Sequence, residues 1–309
     1  MGNSFAHESV MLHEVVDWIA AHQPELIVDC TVGGAGHATA LLNALPDSQL
    51  LALDRDSEAV RVARERLSRF GERAQVYHAR FSQLETVLGV NVGRVGALVA
   101  DLGVSSHQID TASRGFSFRF SGDLDMRMDR TSGQSAREVV ASVDAATLAT
   151  AIKELGEERH ARRVARAIKA ERPTTTEELA AIVRRNVPAA RDGLDPATRT
   201  FQAIRMLVND EVGELERLLL AIPKVLADGG IAVFISFHSL EDRSVKRALR
   251  DAAQGCICPP VIGGCVCNNR PSLEILTRRV VRPGSDEIAR NPRAASARLR
   301  AARRLERTR

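Results

Sequence analysis

Four side chains suited to ligand binding each come at the end of a short apolar run in the first third of the chain. They are Asp29, Asp54, Phe81 and Asp101. Segments with helical patterning separate the apolar runs, and such alternation predicts parallel strands joined by right-handed helical crossovers. The carboxyl ends of parallel strands meet at one edge of a sheet, where ligands of open α/β sheets bind. We therefore expect these four side chains to lie at that edge.

The first of these runs leads into a glycine loop, VDCTVGGAGHATALL (28–42), which precedes a predicted helix. A Walker loop needs Gly-Lys-Ser/Thr, but here Gly36 is followed by His37 and no lysine is near. The dinucleotide pattern G-x-G-x-x-G fits the spacing of Gly33, Gly34 and Gly36 poorly. The loop alone therefore leaves its ligand open, with both phosphate patterns disfavoured.

The acids around the loop favour S-adenosylmethionine, which has no phosphate but carries a sulfonium and a free amino acid end. Asp29 directly precedes the loop and can face the cationic part of such a ligand. Asp54 follows Gly36 by 18 residues and can accept both hydroxyls of a ribose, a role that serves NAD equally well. The position of Asp29 therefore favours S-adenosylmethionine over NAD. Phe81 is predicted to pack on the adenine, with a place in the hydrophobic core as the alternative.

Asp101 is the candidate catalytic residue, with positioning of an acceptor base as its hypothetical role. An exocyclic amine of cytosine or adenine is a poor nucleophile because its lone pair is delocalised into the ring. A carboxylate that accepts its N–H bonds localises that lone pair and aligns it with the methyl group to be transferred, by positioning and electrostatics. The alternative for Asp101 alone is a helix N-cap or a loop acid.

A series of motifs in chain order makes a family resemblance specific. They include HESVMLHEVV, DLGVSSHQID, DLDMRMD, PATRTFQAIRMLVNDE and FISFHSLEDR. Over nearly its whole length the chain resembles the bacterial MraW/RsmH family of 16S ribosomal RNA (cytosine-N4)-methyltransferases. The resemblance implies a Rossmann-like class I methyltransferase sheet that uses S-adenosylmethionine, an inserted helical domain, and a target cytosine in the decoding region of the small ribosomal subunit.

By matching position, the resemblance also implies a set of cofactor contacts. They are Ala35, Gly36, His37, Asp54, Phe81, Asp101 and Gln108. The family often has glycine where this chain has Ala35, and alanine is tolerated there if its φ is negative, since only a positive φ demands glycine.

The order of the elements predicts an α/β fold with an interruption. Strand and helix signals alternate over 1–108, the segment 109–210 has the pattern of a loop followed by helices, and alternation resumes over 211–309. We therefore expect a methyltransferase core in two parts, 1–108 and 211–309, around an inserted, mostly helical domain for substrate recognition. Near the end of the chain, LEILTRRVV and SARLRAARRLE predict a closing antiparallel hairpin.

Polar segments of the insertion and one after the last parallel strand supply candidates for RNA binding. The loop RGFSFRFSGDLDMRMDR (114–130) is predicted to close over the target base, with a buried edge strand as the alternative. Arginine-rich helical segments are predicted to contact phosphates, with a solvated helix face as the alternative. His238, in SFHSLEDR, is assigned to the site wall or to anchoring its loop. The predicted substrate contacts are Arg114, Phe116, Phe118, Arg127, Arg162, Arg166, Arg199 and His238.

The net charge of +4 is unevenly distributed. Residues 240–309 contain 16 Lys and Arg against 7 Asp and Glu, which gives +9, so the remainder carries −5. This basic region favours a polyanion partner, here 16S rRNA or the small subunit, with a solvated charged surface as the alternative. No apolar run is long enough to span a membrane and no secretory signal is visible, so we expect a cytoplasmic monomer or homodimer.

Two other functions remain open at this point. One is an RNA-binding assembly factor that keeps the fold without the activity, which the acids at 29, 54 and 101 argue against. The other is a DNA or protein methyltransferase. The basic region favours nucleic acid over protein but does not separate RNA from DNA.

Four cysteines near the end of the chain, Cys256, Cys258, Cys265 and Cys267, form a C-x-C-x6-C-x-C pattern. Four thiols this close could hold zinc tetrahedrally, but C-x-C is tighter than the usual C-x2-C spacing. Reduced thiols in a basic loop are the alternative, and a disulfide is disfavoured in the cytoplasm. We therefore predict no bound metal, with a zinc site at the four cysteines as the alternative.

Overall fold

The computed structural model describes residues 9–189, 193–258 and 265–306. Its strands are β1 (Leu26–Asp29), β2 (Gln49–Asp54), β3 (Ala74–His78), β4 (Val95–Asp101), β5 (Leu226–Ser236), β6 (Leu273–Ile275) and β7 (Arg298–Arg304). Its helices are α1 (Leu12–Ala20), α2 (Gly36–Ala44), α3 (Ser57–Leu67), α4 (Leu84–Leu88), α5 (Ser106–Asp110), α6 (Ala136–Ser142), α7 (Ala145–Gly156), α8 (Ala161–Glu171), α9 (Thr176–Asn186), α10 (Ala197–Asn209), α11 (Glu211–Val225), α12 (Ser239–Ala252) and α13 (Ser285–Arg290).

The described strands form one sheet in the order β3-β2-β1-β4-β5-β7-β6. Strands β1 to β5 are parallel, and β7 runs antiparallel to both of its neighbours. The chain runs outward from β1 to β3 and then returns to β4 on the other side of β1. This reversal is a topological switch point, where an open α/β sheet leaves a crevice for a ligand. The predicted α/β class is confirmed.

The core fills both faces of the sheet because its central strands are apolar at nearly every position. Along β5, Ile231, Val233 and Ile235 belong to one buried cluster, and Ala232 and Phe234 belong to the other. Successive side chains of a strand point to opposite faces of the sheet. A strand that is apolar at every position therefore contributes to the core on both faces. A rigid, fully covered sheet fixes the strand ends that carry the acids.

The chain divides into two compact units. Residues up to Gly103 and from Gly213 onward form the sheet unit, and Val104–Val212 form the other. The second unit is helical, with a core of its own that includes Leu148, Ile152 and Val164. The predicted domain over 109–210 falls inside it, and its role in substrate recognition stays a prediction.

The two C-terminal strands pair antiparallel, but a simple hairpin does not form. Helix α13 lies between β6 and β7 in the chain, and β6 is only three residues long. β7 uses its other edge to pair with β5. No helix within the described ranges is long and apolar enough to cross a membrane.

Candidate active site at the carboxyl edge of the sheet

Three adjacent strands, β2, β1 and β4, each end in an aspartate: Asp54, Asp29 and Asp101. In the strand register Asp29 lies opposite Ala52 of β2 and Val99 of β4. Asp54 and Asp101 therefore extend two residues further along the same edge. The sheet brings the acids together at its switch point, as the sequence predicted.

Three hydrogen bonds join the glycine loop to the three aspartates. The Thr31 amide donates to Oδ1 of Asp29 (3.0 Å), and the Gly33 amide donates to Oδ2 of Asp54 (2.9 Å). The Thr31 hydroxyl accepts a bond from the Asp101 amide (2.7 Å). The loop is thus tied to all three strand ends, which holds its backbone in place beside the acids. Thr31 was not predicted as a site residue, because nothing local in its sequence signals this contact.

The three carboxyl groups are unusually hard to ionise. Burial is the main cause, and it raises the pKa of Asp29 to about 7, with a contribution from the charge of Asp54. Burial also raises the pKa of Asp54 to about 6. For Asp101, burial and then the charges of Asp29 and Glu241 raise the pKa well above its ordinary value. Buried like charges oppose one another, so this edge of the sheet favours a positively charged occupant.

Asp101 also has an unsatisfied acceptor. Its Oδ1 is buried and has no hydrogen-bond partner within the part of the chain that the structure describes. A buried acceptor without a donor costs about 1–3 kcal/mol. A ligand that brings an N–H donor to this oxygen removes that cost. The buried carboxylates therefore fit a cationic ligand with N–H groups, and they oppose binding of a negatively charged pyrophosphate.

At the start of α2, the backbone of Ala35 does not have the negative φ that was expected. Its φ is +62°, in the left-handed region, so the condition under which alanine is tolerated there is not met. An L-residue in this region costs about 1–2 kcal/mol. Gly36 follows, and a Cβ at that position would collide with the hydroxyl of Ser9. Backbone amides at this helix start have no intrahelical partner and are the groups suited to a ligand.

The His37 side chain is committed elsewhere. Its Nε2 lies 3.0 Å from the carbonyl oxygen of Val10, and the ring is buried. Burial lowers the pKa of His37 to about 4, so the imidazole is neutral at physiological pH. The predicted cofactor contact of His37 would therefore come from its backbone. Phe81 begins a 3-10 turn after β3 and packs, half-buried, against the core, which favours the core alternative for it.

Glu241 is a site residue that the sequence reasoning missed. It is buried near the start of α12, and its charge contributes to the raised pKa of Asp101. Its Oε2 accepts the Phe237 amide (3.0 Å), and its Oε1 lies 3.0 Å from Nε2 of His238. An acid in the first turn of the helix after β5 was the available signal. His238 caps α12 through Nδ1, which suits the anchoring role, while its contact with substrate stays a prediction.

The remaining predicted residues belong to the helical unit. Gln108 is buried and forms a capping box with Ser105 at the start of α5. Arg114 is 1% exposed, and its Nη2 donates to the carbonyl oxygens of Arg127 (3.0 Å) and Met128 (2.9 Å). Such burial favours a structural role for Arg114 in holding the loop 114–130. The cofactor role of Gln108 and the substrate role of Arg114 stay predictions.

The other loop residues are also partly engaged. Arg127 forms a two-bond ion pair with Asp125 (2.7 and 3.0 Å). Phe118 packs edge-on against Phe201 with ring centroids 5.0 Å apart, while Phe116 is half-buried. The alternative of a buried edge strand does not form, since the described residues here contain only an isolated bridge. Phe120, which was not predicted, is 51% exposed.

The basic side chains of α8 differ in whether they bond to other helices. Lys169 donates to three carbonyl oxygens at the end of α6, and Arg163 donates to the carbonyl of Asn186. Arg162 and Arg166 are exposed, and Arg199 on α10 is half-buried. Arg162 and Arg166 are therefore the members of the predicted set best placed to meet a phosphate. The four cysteines also meet, in a separate loop described below.

Comparison with known proteins gives a consistent result. A family model described as the MraW methylase family matches residues 4–305. The chain is 46% identical to Ribosomal RNA small subunit methyltransferase H of Geotalea uraniireducens, covering 98% of this chain and 100% of that protein. It is 47% identical to the protein of the same name from Geobacter sulfurreducens, with the same coverage. A solved putative rRNA methylase from Clostridium thermocellum shares 9% identity at a TM-score of 0.45 over 98% of this chain and 99% of that one, which is too distant to carry an argument.

Proposed function

The chain belongs to the MraW methylase family, and from this premise we propose that it methylates N4 of a cytidine in the decoding region of 16S rRNA. The methyl donor is S-adenosylmethionine. Small-subunit rRNA methylation is the activity named for the relatives. The nucleotide, the N4 atom and the decoding region are the finer parts of the proposal. We place the activity in the cytoplasm, where bacterial ribosomal subunits are assembled, and propose a monomer or homodimer.

The observation that carries the proposal is the group of three buried acids at the strand ends. S-adenosylmethionine supplies a methyl group bound to a positively charged sulfur. Asp29 and Asp101 provide the negative charge that such a cation needs, and burial strengthens the attraction because the local dielectric is low. Asp54 accepts the Gly33 amide at Oδ2 and the Asp56 amide at Oδ1, both at 2.9 Å. A carboxylate offers about four acceptor sites, so it retains capacity for ribose hydroxyls.

Asp101 is proposed to hold the acceptor amine. Positive charge in the site favours the ionised form of Asp101, whose unsatisfied Oδ1 accepts an N–H of the cytosine amine. This bond localises the nitrogen lone pair and aims it at the methyl carbon. When bound, S-adenosylmethionine would supply the methyl carbon and keep the C–S electron pair on its sulfur, and the acceptor nitrogen would lose a proton as the new C–N bond forms. The Asp101 carboxylate is the group placed to accept that proton.

Contacts with RNA are proposed for the exposed arginines of α8 and for the basic region 240–309. Arg162 and Arg166 are four residues apart on α8, about one helical turn, and Nε of Arg166 donates to the carbonyl of Arg162 (3.3 Å). Phosphate contacts of this kind supply affinity and salt dependence without base specificity. Selection of one cytidine therefore requires other groups, and the loop 114–130 is proposed to supply them.

The proposal is tested with cofactor that carries a labelled methyl group. The protein is incubated separately with small subunits that lack the modification, with free 16S rRNA and with DNA, and the products are digested to nucleosides. We expect N4-methylcytidine from a ribosomal substrate and none from DNA. Label only in DNA, or in no substrate, would contradict the proposal, and a labelled adenosine or a C5-methylcytidine would contradict its N4 part. The Asp101→Asn variant serves as a control for label that arises without the site.

A further inference from the structure

A loop between α12 and β6 gathers four thiols that methyl transfer does not use. The Sγ atoms of Cys256, Cys258, Cys265 and Cys267 all lie within 4.8 Å of one another. Two of the pairs measure 3.6 Å (Cys265 to Cys267) and 3.8 Å (Cys267 to Cys256). None of these cysteines forms a disulfide. Residues 259–264, between the two C-x-C pairs, lie outside the described residues.

The 3.6 and 3.8 Å separations match the edges of a metal tetrahedron, and the other pairs of sulfurs lie within 4.8 Å. Zinc binds thiolate sulfur at about 2.3 Å in tetrahedral sites, which places neighbouring sulfurs about 3.8 Å apart. A disulfide would bring two sulfurs to about 2 Å. We propose that the four cysteines bind one Zn²⁺ as a closed, structural tetrathiolate site. Because the protein fills all four positions, the ion has no open coordination site and takes no part in methyl transfer.

Backbone amides are aimed at the sulfurs. The Cys258 amide donates to Sγ of Cys256 (3.4 Å), and the Val266 amide donates to Sγ of Cys258 (3.3 Å). Sγ of Cys267 accepts bonds from the amides of Ile257 and Asn269, both at 3.4 Å. Amide donors around a metal–thiolate group stabilise the negative charge on sulfur and orient the ligands. Four backbone amides thus donate to three of the four sulfurs.

The described part of the loop has little else to stabilise it. Its apolar side chains Ile257 and Val266 are 59% and 69% exposed, so they form no core. The Asn269 side chain closes the loop by donating to the carbonyl oxygens of Gln254 (3.0 Å) and Gly255 (2.7 Å). Small modules without a core commonly use a metal to offset the entropy of ordering the chain. Zinc binding would supply the stabilising free energy that a hydrophobic core provides elsewhere.

The position of the site indicates what the ion stabilises. Strand β6 begins at Leu273, shortly after Cys267, and pairs at the edge of the sheet with β7. Within the described ranges, three residue pairs join this strand to the sheet. A metal that fixes the preceding loop limits fraying of β6. This inference rests on the cysteine geometry and is independent of the proposed methylation.

The test measures metal content in full-length protein purified without chelators. Elemental analysis by mass spectrometry is expected to find one zinc per chain. The Cys265→Ala/Cys267→Ala variant is expected to lose at least about 90% of it, since two of four ligands are gone. Val266→Ser, which changes an exposed side chain between those cysteines, is the matched control and keeps the zinc. Wild-type protein stripped of zinc and reloaded with Co²⁺ is expected to show the intense visible bands of a tetrahedral cobalt tetrathiolate.

The cobalt spectrum keeps the inference testable if the double variant does not fold. Hydrogen exchange is the second readout, and removal of zinc is expected to speed exchange in β6 while leaving β1 unchanged. Purified wild-type protein that contains no metal, that contains iron instead of zinc, or whose four thiols are paired as disulfides would overturn the proposal. An octahedral or non-thiolate cobalt spectrum would overturn it as well.

Discussion

Replacing Asp29 by asparagine should stabilise the cofactor-free protein while weakening its hold on the cofactor. Asparagine keeps an oxygen that can accept the Thr31 amide, so the loop contact at 3.0 Å is preserved. What the substitution removes is a buried negative charge beside Asp54 and Asp101. In the proposed function that charge holds the cationic part of the cofactor, and it destabilises the cofactor-free protein.

The magnitude follows from the raised pKa of Asp29, about 7 against an ordinary value of 3.8. The folded state binds the Asp29 proton more tightly than the unfolded state does. This group therefore contributes most to the free energy of unfolding below about pH 4, where it is protonated in both states. That contribution is lost as pH rises toward 7. Three pKa units correspond to at most about 4 kcal/mol at pH 8 and to about 2 kcal/mol at pH 5. The Asp29→Asn variant is free of this penalty at every pH.

The assay compares thermal unfolding of wild type and Asp29→Asn at pH 5 and pH 8, without cofactor. We expect the variant to melt several degrees higher at pH 8, with the difference shrinking by about half at pH 5. Asp47→Asn, which removes a charge from an exposed position in the same unit, is the matched control and should change neither value by more than about 1 °C. Calorimetry should show weaker binding of S-adenosylmethionine, with a smaller loss for S-adenosylhomocysteine, which lacks the sulfonium charge. A variant less stable than wild type at pH 8, or equally affected by both ligands, would refute the electrostatic reasoning.

Three further predictions concern the same site and the RNA surface. Affinity for S-adenosylmethionine should rise at least about tenfold between pH 5.5 and pH 8 as Asp29, with its pKa of about 7, ionises; calorimetry across that range checks this, and a flat profile would exclude Asp29 as a charge partner. Asp101→Asn should lower kcat by about 100-fold or more with a change in cofactor Kd under about tenfold, measured by methyl transfer and calorimetry; wild-type turnover would rule out its base-positioning role. Arg162→Ala/Arg166→Ala should weaken RNA binding and reduce the slope of log K against log salt by about 1–2, with cofactor affinity as the internal control; an unchanged slope would remove the phosphate role.

The strands and their terminal acids were predictable from sequence because both signals are local. An apolar run that ends in an acid, as at Asp29, Asp54 and Asp101, predicts both a buried strand and the point where that strand reaches the carboxyl edge of the sheet. The conformation of Ala35 was not predictable, since composition does not report the sign of φ. The burial of Arg114 was also hidden, because its partners are backbone carbonyls 13 and 14 residues away. Long-range contacts of this kind leave no pattern in a single sequence.

The three acids also separate the ligands that the glycine loop alone leaves open. A pyrophosphate would bring negative charge to an edge where the charge of Asp54 already opposes ionisation of Asp29, and the charge of Asp29 opposes ionisation of Asp101. Charges in a buried site are only weakly screened, so an added negative charge makes these carboxyl groups still harder to ionise. A sulfonium and an ammonium reverse that sign and favour the ionised form of the carboxyl groups. The buried acids at the strand ends therefore favour a cationic cofactor over one with a pyrophosphate, whereas the glycines alone do not separate the two.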